Sequence, residues 1–356
     1  MTPLERLLIA RIEAAGPITL AEYMAECLMH PKHGYYSTRD PFGAAGDFTT
    51  APEISQMFGE VLGLCLAQSW LDQGSPGRFT LAELGPGRGT LMADILRATK
   101  RVPGFDAAVQ VALVEASPAL REVQGRVLAG HAPIWADSID ALPKQPLFLI
   151  ANEFFDALPI NQFQREGAAW HQRLVGVTGG ALAFGLSAAL LPKAVGERFA
   201  DDTSGTVVEL CPALPALAMA IGAHISKHGG VAIAIDYGGW RSKGDTLQAL
   251  RQHAPEHPLA HPGEADLTAH VDFEALALAI GLPHTGLTDQ GVLLRRLGID
   301  QRAARLAEGL TGVALDSHLA AHHRLTDAAE MGSLFKTIAF HPSGSAAPQG
   351  FDLIHA

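Results

Sequence analysis

The segment Glu83-Leu84-Gly85-Pro86-Gly87-Arg88-Gly89 combines the residue types that let a backbone approach a ligand with a charge placed to hold it. Glycines here permit close approach and positive φ without steric cost. Their spacing is GxGxG, not the GxGxxG that cradles a dinucleotide pyrophosphate, and an acid, Glu83, stands two positions before the first glycine. Two further acids follow downstream, Glu115 and Asp137. A carboxylate at 115 can accept hydrogen bonds from two vicinal ribose hydroxyls, and one at 137 can accept from an adenine amino group. Places for ribose and adenine without a phosphate cradle point to S-adenosylmethionine. Its sulfonium is positive and its methionine tail zwitterionic, so nearby carboxylates attract it where a phosphate would be repelled. Glu83 and the glycine turn are then expected to hold the methionine moiety.

A second chemical segment is Asn152-Glu153-Phe154-Phe155-Asp156-Ala157-Leu158-Pro159. Polar residues followed by aromatics can position an acceptor nitrogen while the rings exclude water, so Phe154 and Phe155 are candidate substrate walls. Asp236 and Tyr237 are expected to border the same groove, with a structural turn as the alternative. His253, His257 and His261 recur at four-residue spacing, but Pro255, Pro258 and Pro262 prevent the helix that would align them, and no metal is expected.

The elements that must carry these residues are legible as apolar runs. FTLAELG (79–85), VQVALVEAS (109–117), PLFLIANE (146–153) and GVAIAIDYGG (230–239) read as buried parallel strands, with a short strand near Ile134-Trp135. TLMADILRATKR (90–101) and SPALREVQGRVLA (117–129) read as crossover helices, the second with Ser117 as N-cap and Pro118 at its first position. Strands alternating with helices imply a doubly wound α/β sheet, with the three acids at strand carboxyl ends, where such sheets bind ligands. Between the strands near 150 and 231 the alternation breaks. INQFQREGAAWHQRLVGVTGGALAFGL (160–186) predicts antiparallel strands around Gly179-Gly180, and PALPALAMAIGAHISKH (212–228) predicts a helix. The His- and Pro-rich stretch 253–273 reads as a long loop, and SLFKTIAFHP (333–342) as a closing edge strand.

The 356 residues, 48% apolar and 18% charged, describe a globular chain with room for a sizeable core. A net charge of −11 is the wrong sign for holding a phosphate backbone, which argues against nucleic acid as partner. Cys27, Cys65 and Cys211 make neither a disulfide framework nor a zinc motif. Glu5, Arg6, Arg11 and Glu13 interrupt the N-terminal apolar residues, so the start reads as an amphipathic helix. No run is long enough to span a membrane, and a cytoplasmic location is expected.

HPKHGYYS (30–37), GDFTTAPEISQMFGE (46–60), LAELGPGRGTLMADILR (81–97), LVEASPALREVQ (113–124), NEFFDALPINQF (152–163), IDYGG (235–239), GEADLTAHVDF (263–273) and MGSLFKTIAFHP (331–342) follow one another along nearly the whole chain. In these blocks the chain resembles the MidA family of S-adenosylmethionine-dependent methyltransferases, which includes complex I assembly factor seven. The resemblance implies a Rossmann-like class I methyltransferase core with an N-terminal extension and inserted lobes. It implies methylation of an arginine in a partner protein during assembly of respiratory complex I. It also implies that the segment around Asp47 and Glu53 folds over the donor site, with Asp47 near the cofactor and Glu53 near the substrate. An arginine acceptor is a planar cation best held by carboxylates in bidentate fashion, which makes Glu153 and Asp156, with Asn152 beside them, the candidate catalytic clamp. The expected division is an extension and lid over 1–75, a core over 76–159 and 229–356, and an inserted substrate lobe over 160–228. The competing readings are a non-catalytic cofactor-binding assembly factor, a small-molecule methyltransferase and a nicotinamide-dependent oxidoreductase.

Overall fold

The computed structural model describes residues 1–38, 49–190 and 192–354. Contacts group the chain into two units, one of Met1–Phe48, Asp156–Leu214 and Arg241–Asp272, the other of Thr49–Phe155, Pro215–Trp240 and Phe273–Ala356. The grouping differs from the division expected above. Residues 49–75 fall with the core because the helix they form buries its length there, and 241–272 fall with the inserted strands.

The larger unit is built on strands β1 (Phe79–Leu84), β2 (Val109–Val114), β3 (Ile134–Ala136), β4 (Leu147–Asn152), β5 (Gly230–Gly239), β6 (Thr288–Asp289) and β7 (Phe335–Phe340). Their spatial order is β3-β2-β1-β4-β5-β7-β6. The first five are mutually parallel, while β7 runs antiparallel to both β5 and β6. This is the doubly wound sheet expected from the alternating runs. One expectation fails: 335–340 is not an edge, because Thr288 and Asp289 pair along its outer side. A two-residue strand has no periodicity to betray it in a sequence.

Every residue of β1 and β4 is buried, which explains their near-continuous apolar composition. One face carries Phe79, Leu81, Val111, Leu113, Phe148, Ile150, Val231, Ile233 and Ile235 into a core shared with helices α1 (Gln56–Asp72) and α2 (Thr90–Thr99). Trp70, Phe79, Phe105 and Phe148 interlock there with ring centroids 4.8 to 5.7 Å apart. Helix α3 (Pro118–Val127) begins as the sequence predicts, with the Ser117 hydroxyl accepting from Leu120 N–H and Pro118 in the first turn. Helix α1 lies against α2 without side chains between them at two points. A Cβ at Gly59 would fall 2.6 Å from Asp94 Cβ, and one at Gly63 would fall 2.9 Å from Ile95 Cα.

The smaller unit contains the helix Pro3–Ala15, started by a capping box between Thr2 and Glu5, and a five-stranded antiparallel sheet of Ile18–Thr19, Asn161–Glu166, Ala169–Thr178, Ala181–Leu190 and Val207–Leu210. The predicted hairpin turns at Gly179 and Gly180, both in the left-handed region as a two-residue turn requires. The stretch 253–273 is not a plain loop: Ala254–Glu256 and Asp266–Thr268 flank Gln248–Arg251 in a three-stranded sheet. Among the described residues no helix is long and apolar enough to cross a membrane.

The contact at Gly63 is with backbone and cannot yield by a rotamer change. Gly63→Ala is therefore expected to destabilise the chain by about 1–3 kcal/mol, even though alanine favours a helix interior by about 1 kcal/mol. Urea denaturation of the two proteins checks the sign.

Candidate functional site

The strand order reverses between β1 and β4, and the carboxyl ends of such neighbouring strands form the crevice where open α/β sheets take a ligand. β1 leads into the glycine turn, where Gly85, Gly87 and Gly89 have φ of 59°, 52° and 84°. Gly85 N–H donates to Val114 O (3.0 Å) and Gly89 N–H to Pro86 O (2.7 Å). A Cβ at Gly85 would lie 2.8 Å from Phe154 Cδ2, so the turn and the loop after β4 meet in a contact that only glycine allows. Gly89 then N-caps α2.

Glu83, near the end of β1, is 3% exposed. Its carboxylate accepts from Met92 N–H in the first turn of α2, while Oε2 is buried with no hydrogen-bond partner among the described residues. Burial pushes its pKa up to about 8, against the Met92 hydrogen bond and with a smaller push from Glu115. A buried acid with an idle oxygen is completed by a cationic donor, and the methionine ammonium is one.

Glu115 follows β2. Its Oε1 accepts from Ser117 N–H (2.7 Å) and its Oε2 from Gln124 Nε2 (3.2 Å). Burial raises its pKa against these donors. Asp137, one residue beyond β3, has a side chain 90% exposed and paired with Arg121 Nη2 at 2.6 Å. Arg121 also donates from Nε to Glu115 O at 2.8 Å. Glu83, the turn and Glu115 thus stand at the carboxyl ends of neighbouring strands, with Asp137 beyond β3 on the far side of Arg121.

At the end of β4, Asn152 Oδ1 is buried without a hydrogen-bond partner among the described residues. Its Nδ2 donates to Glu153 Oε1 (3.0 Å), which also accepts from Ala51 N–H (3.2 Å). Glu153 itself is left-handed, with φ of 53°, a conformation costing a non-glycine residue about 1–3 kcal/mol and concentrated at functional sites. Phe154 lies over Gly85 and meets Phe155 edge to face at 5.3 Å. Phe154 therefore borders the glycine turn, and Phe155 is 5% exposed.

Asp236 has the contacts of the structural alternative. It is fully buried, with Oδ2 accepting from the N–H groups of Phe154 (3.2 Å) and Phe155 (2.8 Å) and Oδ1 from Tyr237 N–H (3.1 Å). It fixes the loop. Tyr237 is half-buried against Phe335, centroids 4.0 Å apart. Asp156 opens the smaller unit, buried, with its carbonyl accepting from Ala269 N–H (2.9 Å). Glu153 and Asp156, expected as one clamp, are grouped with the larger and the smaller unit respectively. Glu53 Oε1 accepts from Thr90 Oγ1 (2.6 Å) and its Oε2 lies 4.0 Å from Arg88 Nη1. It sits on the glycine turn, and Ser55, capping α1 through Met57 N–H, does the structural work of that segment. Asp47 lies outside the described residues.

The unsatisfied Glu83 oxygen, the left-handed turn and the hydrogen-bonded Glu115 suit a zwitterionic nucleoside donor. The pattern of a family described as "Putative S-adenosyl-L-methionine-dependent methyltransferase" matches residues 61–291. The chain belongs to this family. It is 34% identical to the protein arginine methyltransferase NDUFAF7 homolog, mitochondrial, of Drosophila melanogaster, over 97% of this chain and 86% of the other. It is 35% identical to the protein of that name from Bos taurus, over 96% and 84%. A COG1565 superfamily member from Burkholderia thailandensis, solved bound to S-adenosyl-homocysteine, superposes with a TM-score of 0.83 at 29% identity, covering 97% of this chain and 93% of that one. The fold is the Rossmann-like class I methyltransferase fold, and S-adenosylmethionine is the family's cofactor. The cytoplasmic location expected from composition is overturned: the matching animal relatives are named as mitochondrial proteins.

Sequence reasoning missed Thr90, Arg121 and Gln124, because a threonine, an arginine and a glutamine on helices carry no motif of their own. Their one signal is adjacency to Glu53, Asp137 and Glu115.

Glu83 makes binding and folding pH-dependent in opposite directions. Between about 4.5 and 8 the folded chain retains a proton that the unfolded chain gives up. Stability of the ligand-free protein therefore falls as pH rises through that window, and Glu83→Gln removes this component. The ammonium of the ligand favours the ionised form, so S-adenosylhomocysteine affinity is expected to rise with pH over the same range, by up to about tenfold per unit. Melting curves and titration calorimetry from pH 5.5 to 8.5 read both.

Proposed function

We propose that this methyltransferase modifies an arginine side chain of a partner protein, and that the partner is a subunit of respiratory complex I undergoing assembly. The observation that supports the substrate class is identity of 34–35% across nearly the whole chain to proteins named protein arginine methyltransferase. The composition agrees, since a net charge of −11 favours a basic partner segment over an acidic one.

Bound S-adenosylmethionine supplies an electrophilic methyl on a sulfonium, and methyl transfer is an in-line displacement governed mainly by positioning. The acceptor guanidinium is cationic, planar and rich in N–H donors. In the proposed arrangement it donates to the Glu153 carboxylate, while Asn152 Oδ1 takes a further N–H. Glu153 thereby directs one nitrogen at the methyl and receives the proton that the new carbon–nitrogen bond displaces. Ala51 N–H and Asn152 Nδ2 hold Glu153 Oε1 in place, and Asp236 holds the two residues that follow. Phe154 and Phe155 exclude water from the acceptor side.

Incubation of the protein with labelled donor and complex I subunits, followed by mass spectrometry, tests the proposal: label on arginine supports it, and donor binding without labelled product overturns it. Within that assay Glu153→Gln is expected to lower kcat by roughly 10²-fold or more while leaving S-adenosylhomocysteine affinity within about twofold. A variant that turns over like the parent removes Glu153 from the mechanism.

A further inference from the structure

We infer that Gln124 is a positioning residue that ties the glycine turn to Glu115 and so sets the spacing between the methionine and ribose halves of the cofactor site. The inference rests on the reading that the turn and Glu115 hold the cofactor. Gln124 is fully buried in the second turn of α3, a helix that passes close enough to the turn for a Cβ at Gly89 to meet Gln124 Cγ at 3.6 Å. Its amide orientation is decided by its partners. Trp135 Nε1 can only donate, and it reaches Gln124 Oε1 at 2.8 Å. The amide nitrogen therefore faces the other way and donates to Gly87 O (2.7 Å) and to Glu115 Oε2 (3.2 Å).

Both N–H donors are consumed, one on each half of the site. The Gly87 carbonyl belongs to the turn, and the Glu115 carboxylate takes the backbone N–H groups of Ser117 and Ala116, with Gln124 holding Oε2 from its side chain. Trp135, on β3, locks the amide from behind. No other residue type supplies two donors and an acceptor with this reach. Glutamate has the shape but no donor, asparagine is one methylene short, and methionine fills the volume without a hydrogen bond. The position is the last residue of the block LVEASPALREVQ, whose first acid is Glu115. Glutamine at that point links two segments that the chain separates by 37 residues, Gly87 and Gln124.

The test is a double-mutant cycle on the full chain, read by calorimetric titration with S-adenosylhomocysteine. Gln124→Met and Glu115→Gln are each expected to weaken binding about tenfold, and the double variant to lose far less than the product of the two. In turnover, KM for the donor rises with kcat within about twofold, a split that general loosening of the fold does not produce. Ligand-free melting shows whether Gln124→Met is folded; where it is not, the isosteric Gln124→Glu carries the same test and is expected to bind more weakly than the parent. Affinity within twofold of the parent in a folded Gln124 variant, or losses that simply multiply, overturns the inference. Should Glu115→Gln bind as tightly as the parent, the reading of the cofactor site itself falls and the link falls with it.

Discussion

At Gly85 two segments that arrive from different strands come within the radius of one missing methyl group. The turn after β1 and the aromatic loop after β4 are adjacent because strand order reverses there, and Phe154 fills the space a side chain at 85 would occupy. Much of the site follows from that contact. The left-handed turn exposes backbone to a ligand, α2 starts where its first N–H groups reach Glu83, and the residues just before Phe154 are delivered to the same crevice. Asp236 completes the constraint from β5, spending its carboxylate on three main-chain N–H groups so that the loop has one conformation.

Charge is treated differently inside and outside this crevice. Glu60 is as buried as Glu83, yet it is met by Arg97 at 3.1 Å and by Arg302 at 2.6 Å, and its pKa is lowered because those guanidinium groups outweigh its desolvation. Glu83 has no comparable cation among the described residues, and its pKa moves the other way. The same chain therefore shows a buried carboxylate with its cations in place and one without. Asn152 adds a second idle oxygen on the neighbouring strand end.

What could be read from the sequence was what local pattern encodes. Four buried strands, the Ser117-Pro118 helix start and the Gly179-Gly180 hairpin each rest on a few contiguous residues, and the structure has them where the pattern put them. The acids and glycines were also legible, since strand-end placement is periodic information. Asp236 was open to two readings because an aspartate after an apolar strand looks the same whether it faces solvent or turns inward to neighbouring amides. The pairing of 335–340 with Thr288-Asp289 and the strands within 248–268 depend on partners distant in sequence. Gly59 and Gly63 looked like ordinary helix residues until α2 was placed beside them.

The backbone at Glu153 carries one more implication. Glycine and asparagine tolerate left-handed φ far better than glutamate, so the substitutions that would relax this position are those that delete its carboxylate. On the proposed mechanism, a sturdier protein that binds donor without using it is a single replacement away. On that mechanism, selection for folding alone would favour the inert scaffold over turnover.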